Sequence, residues 1–223
     1  MRAYLTESNL VKAAGLAVMV TLMSVPRLVQ TGRPLGLFVV MTFLVMTLVC
    51  GAVTAWSRCA GLAGAVTARR TLMRGAAAAA AVGLGSLPIQ VFWLDPLLRH
   101  ALAGGANHSM AALSYPATVG GCLALILWSA GFQTIFFQAA PMSFFARLTG
   151  SRLVALGLCL ALRVYVAYRQ VVYSGMTDCL GLFVVSAAGT AAVGCVLFAR
   201  YGLAPAMLLA AALDLHVLFT RAA

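Results

Sequence analysis

Seven long apolar runs, with the charges gathered at their ends, decide most of what this chain can fold into. They cover residues 9–25, 35–56, 75–94, 117–137, 152–168, 179–198 and 203–219. A helix rises 1.5 Å per residue, so about 20 predominantly apolar residues cross a bilayer's hydrocarbon core. With 63% hydrophobic and only 9% charged residues, the chain lacks the polar side chains to cover a water-facing surface. Soluble domains carry about 25% charged residues. In lipid every backbone polar group must be satisfied internally, which favours helices. The expectation is an all-α, polytopic transmembrane helix bundle of about seven spans, within a range of six to eight. It would be a single integral membrane domain with no separate soluble part.

The ends of the runs carry the topology. The first run stops at Pro26–Arg27, and the third begins in an alanine-rich tract, less apolar than leucine, and contains Pro88, an expected kink. The start, "MRAYLTESNLVKAAGLAVMVTLMSVPRL", looks like a signal sequence in part but has no small-x-small cleavage site before Pro26, so it reads as a retained first span. Residues 95–116 read as a polar loop with His100 and His108, and "PLLRHAL" within it suits a short interfacial helix.

The chain carries 15 Lys+Arg against 4 Asp+Glu, a net charge of +11. In a soluble protein that would suggest nucleic acid. Here the cations flank apolar runs, and no basic stripe interleaved with aromatics is present, so anionic lipid headgroups are the expected partner and nucleic acid is not. On seven spans, Arg2, Lys12, Arg58, Arg69, Arg70, Arg74, Arg147, Arg152 and Arg200 share one side, and Arg27, Arg33, Arg99, Arg169 and Arg221 the other. That excess predicts a cytoplasmic N-terminus and a cell or inner membrane location, with Arg69, Arg70 and Arg74 as a headgroup-facing cluster.

The six cysteines form no CxxC pair, and four (Cys50, Cys122, Cys159 and Cys195) lie in the interior of apolar runs, where Cys acts as a small hydrophobe. No metal site and no cofactor are expected. In the sixth run Ser186, Thr190 and Gly194 recur every four residues, a small-residue face suited to close helix packing.

Ionisable and amide groups at membrane depth are costly and need partners. Arg163 falls mid-span, and Asp214 and His216 near the end of the last run. An Arg163–Asp214 ion pair would relieve both charges. It would serve first as a structural clip, with a part in a substrate or proton site as the alternative, and Arg163 could instead snorkel toward the interface. His216, two residues from Asp214, does not share its helix face. Gln133 and Gln138 stand five apart, which at 100° per residue separates them by roughly 140°, so they are expected to bond different neighbours as ordinary interhelical glue.

Residues 128–219 resemble the CAAX-protease and bacteriocin-processing (CPBP) family of intramembrane proteases. The resemblance rests on "QTIFFQAAPMSFFARLTGSRLVALGLCLALRVYVAY" and "LFARYGLAPAMLLAAALDLHVLF". It implies a four-helix part over 117–223, following N-terminal spans and a polar loop over 1–116. In that family glutamates and histidines are understood to hold a metal and activate water. Here the two glutamate positions fall on Gln133 and Thr134, and the arginine position on Gln138. The histidine positions fall near Ala167 and on Ala210, and the terminal polar position is kept as Asp214. Gln, Thr and Ala offer neither an anionic or imidazole ligand nor a base. The resemblance thus implies a protease-like frame with its chemistry removed.

No serine–histidine–aspartate set or HExxH motif replaces the lost ligands. The expected function is a non-enzymatic integral membrane protein, an accessory or scaffold subunit packing against other membrane proteins. The alternatives are a small transporter or ligand-binding protein using Arg163 and Asp214, and an active intramembrane protease.

Overall fold

In the computed structural model, the described residues are 6–30, 34–63, 67–104, 116–174 and 180–220. Helices account for almost all of them, and no strand occurs among them. The elements are α1 (Glu7–Gln30), α2 (Leu35–Cys59), α3 (Arg69–Ile89), a π-helical stretch (Gln90–Leu94), α4 (Asp95–Gly104), α5 (Val119–Trp128), two further π stretches (Ser129–Gln133 and Ile135–Ala139), α6 (Ala140–Thr149), α7 (Arg152–Ser174), α8 (Leu180–Tyr201), α9 (Leu203–Leu213) and α10 (His216–Phe219). Six helices are long and apolar enough to cross a membrane, and 203–219 forms a shorter apolar seventh.

The helices run past several expected ends. α1 continues through Pro26 to Gln30. A proline costs one backbone bond, which neighbouring groups in a membrane helix can offset. α3 begins at Arg69, so Arg69, Arg70 and Arg74 occupy its opening turns instead of a loop. The segment expected to end near Phe137 is one continuous helical path over Val119–Thr149, 31 residues, and it passes Pro141 before Gly150 stops it in a left-handed conformation at φ 68°. Beyond Pro88, the third helix shifts into π geometry and then continues as α4, which takes in "PLLRHAL". His108 lies outside the described residues.

Hydrophobic association between helices is weak in lipid, so close packing of small residues does much of the work. On α3 the buried residues are Gly75, Ala79 and Gly83, four apart on one face. A Cβ at Gly75 would lie 2.5 Å from Tyr201 Cβ and 2.6 Å from Pro205 Cγ, and one at Gly83 would meet the Ala212 side chain. α3 and α9 therefore run parallel with their backbones nearly touching. The central core continues through Ala13, Ala17, Ala139, Ala146, Ala155 and Ala206, with Met46, Ile135, Phe198 and Leu209 as its larger fillers.

Polar ties join the ends of the helices at one edge of the bundle. Asn9, wholly buried, donates to Gly51 O (3.3 Å) and accepts from the Arg58 guanidinium (2.7 Å), which clasps α1 to α2. Ala63 N–H donates to Ala199 O (3.1 Å), Thr67 Oγ1 to Tyr201 O (3.1 Å), and the Arg152 guanidinium to Gly61 O. This edge gathers Arg58, Arg69, Arg70, Arg74, Arg147, Arg152 and Arg200, all exposed.

Candidate functional site

A cavity of about 100 Å³ lies among the second π region, α7, α8 and α9. Ser129, Gln133, Thr134, Phe137 and Gln138 line it from the 119–149 helix, Arg163 from α7, Thr190 from α8, and Ala210, Leu213 and Asp214 from the end of α9. Four of the five expected polar residues thus converge: Gln133, Gln138, Arg163 and Asp214. His216 does not line it.

The convergence of the glutamines corrects their expected divergence, and the cause is local. Residues 129–133 and 135–139 are π-helical, with backbone bonds spanning five residues in place of four. That wider turn brings positions five apart back toward one face. Thr134 adds a bond of the same span, its Oγ1 donating to Ser129 O at 3.0 Å. The π turns also face close neighbours: at Gly131 an added Cβ would lie 3.3 Å from Met23 Sδ. Nothing in the residue pattern announces a π turn, so spacing arguments built on 100° per residue fail here.

Arg163 and Asp214 line the cavity together but do not form the expected contact ion pair. His216, not Arg163, is the basic side chain that lies close to a carboxylate, and its partner is Asp95. The Arg163 guanidinium instead lies over the Phe137 ring, 5.1 Å from its centroid, a cation–π contact. Asp214 has the Ser129 hydroxyl beside it, with Arg163 and His216 nearby. The Gln138 side chain rests on Gly194 of α8, and its Oε1 is buried with no hydrogen-bond partner. Thr190, expected only as packing surface, forms part of the wall.

His216 is placed by a different set of contacts. Its Nδ1 lies 2.7 Å from Leu213 O, and its Nε2 lies 3.3 Å from Asp95 Oδ1. A carbonyl can only accept, so Nδ1 carries a hydrogen. Nε2 is then the ring atom that faces the Asp95 carboxylate. Arg99 also donates to Thr220 O. Together these contacts fasten α4 to α10. Asp95 was not expected as a partner, because its segment read as a loop; the structure makes it the start of a helix and buries it, at 2% exposure.

The chain matches no protein-family model, no curated protein and no solved structure. The cavity does not suit a catalytic metal. Its donors are two amides, three hydroxyls, one guanidinium and one carboxylate, whereas zinc sites use Cys, His and carboxylate ligands. Among the described residues, no group of three or more His, Cys, Asp or Glu is placed to hold a metal ion.

Proposed function

We propose that this is an integral membrane protein that binds a small zwitterionic ligand in the Arg163–Asp214 cavity and carries out no hydrolysis there. One observation carries the reading: a guanidinium and a carboxylate from different helices face one polar cavity without contacting each other. A guanidinium in mid-span with no anion in contact is costly. A ligand carboxylate would relieve it, and a ligand ammonium would find Asp214.

The CPBP resemblance is compatible with this reading. Gln133, Thr134, Gln138, Ala210 and Asp214, the positions to which it assigns the family's functional residues, all line this cavity. Ala167 does not; it is buried one turn beyond Arg163. On this reading a protease-like frame has kept its pocket and lost its ligands, and the protein works as a binding or accessory component among other membrane proteins.

Thermal unfolding of the detergent-purified protein tests this, with glycine, acetate and glycinamide as probes small enough for the space. Glycine should raise the midpoint more than either half-charged analogue, and Arg163→Leu should cancel the shift. No shift with any of the three, or equal shifts in wild type and Arg163→Leu, would overturn the reading.

A further inference from the structure

A second cavity, about 310 Å³, opens between α6, α7 and α8 at the arginine-rich edge. Met142 and Cys195 form its buried floor, at 2% and 0% exposure. Leu153, Leu156, Val196 and Ala199 make its walls, and Arg152 and Arg200 stand at its rim. We propose that this groove holds one anionic phospholipid, with the phosphate on Arg152 and Arg200 and an acyl chain against Leu153, Leu156 and Val196.

Charge and openness both select this occupant. The chain's four acidic residues are Glu7, Asp95, Asp178 and Asp214, and none lines the groove. The two guanidiniums therefore meet no anion there. Arg152 spends one donor on Gly61 O, which fixes its position and leaves other N–H groups to bind phosphate. The walls face outward: Leu153 is 81% exposed and Val196 38% exposed. An occupant arriving from the bilayer can lay hydrocarbon along them while its headgroup stays at the rim. Free phosphate would use the guanidiniums alone and leave the apolar groove unfilled. The inference rests on the membrane location but not on the zwitterion cavity, whose lining shares no residue with this one.

Native mass spectrometry of delipidated protein decides it, with dioleoyl phosphatidylglycerol offered against dioleoyl phosphatidylcholine, and inorganic phosphate as competitor. One phosphatidylglycerol should be retained per chain, preferred about tenfold over phosphatidylcholine, as expected of two basic side chains near a headgroup. Arg200→Gln should remove the preference, while Arg70→Gln, equally exposed on the same edge but outside the groove, should keep it. Because Arg152→Gln also releases the Gly61 turn, Leu156→Trp is the better second variant: it fills the groove, leaves both guanidiniums, and should abolish retention. Equal retention of the two lipids, equal loss with Arg70→Gln, retention unchanged by Leu156→Trp, or displacement by inorganic phosphate would each overturn the proposal.

Discussion

The Gln138 side chain lies directly on the backbone of Gly194, so that any Cβ at position 194 would occupy the place of the amide. This contact sets one wall of the cavity and holds the π region against α8. Gly194→Ala must therefore displace Gln138 or push α8 away. Overpacking of this kind costs about 1–3 kcal/mol. The expected result is a lower unfolding midpoint in detergent for Gly194→Ala, largely recovered in the Gly194→Ala/Gln138→Ala double variant. A double variant no better than the single would mean that the strain lies elsewhere.

The α3–α9 seam makes a sharper prediction, because α3 carries its own control. Gly75 and Gly83 leave no room for a Cβ, whereas an added Cβ at Gly85, on the same helix, would meet nothing within 4 Å. Gly83→Val should destabilise the protein by about 1–3 kcal/mol through overpacking. Gly85→Ala should be neutral or raise stability by up to about 1 kcal/mol, as glycine gives way to a better helix former. Chemical or thermal unfolding of the two variants side by side checks the contrast, and similar losses at both positions would contradict the packing.

How much of this could be read from residues alone varies with the kind of physics involved. The helical class followed from apolar length and scarce charge, both one-dimensional properties. The small-residue stripe on α8 was also visible, as Ser186, Thr190 and Gly194, but the tighter Gly75–Ala79–Gly83 stripe on α3 was hidden in an alanine-rich tract where every register looks alike. The helix end at Pro26 was misplaced because proline signals in water-soluble helices overstate its effect in a bundle that can absorb a lost bond, and the run to Phe137 fell short because the helix goes on through polar Gln138 and Pro141. The cavity was half legible. Arg163, Asp214, Gln133 and Gln138 stood out as polar groups at membrane depth. Their meeting depended on two π turns that leave no compositional mark, and the partner of His216 depended on where a helix continued past Pro88.

The Asp95–His216 clasp predicts a coupling between two helix ends that are distant in sequence. His216→Leu leaves the Asp95 carboxylate, almost fully buried, without its imidazole. Leaving a buried polar group short of a partner costs about 1–3 kcal/mol, and more when it is charged. Asp95→Asn should cost less, since a neutral amide can still accept from His216. Combining the two changes should cost less than the sum of the singles. A double-mutant cycle read by thermal unfolding measures that coupling, and strict additivity would show that the clasp does not hold α4 to α10.

Arg163 is where stability and function should part. Its guanidinium sits midway along α7 with a ring face as its partner and no hydrogen bond among the described residues. A charge at that depth opposes insertion by about 2.5 kcal/mol or more on translocon scales, part of which the cation–π contact and the polar cavity offset. Arg163→Leu removes the charge and keeps much of the apolar stem. The folded protein should therefore be no less stable than wild type, and up to about 1 kcal/mol more stable if the charge is poorly compensated. The same change removes the cavity's cation, so the stabilisation by glycine should vanish. A structural clip would behave in the opposite way: Arg163→Leu would lower the unfolding midpoint, and glycine would matter equally little before and after. Measuring both quantities on the same pair of proteins separates a binding residue from a fastening one.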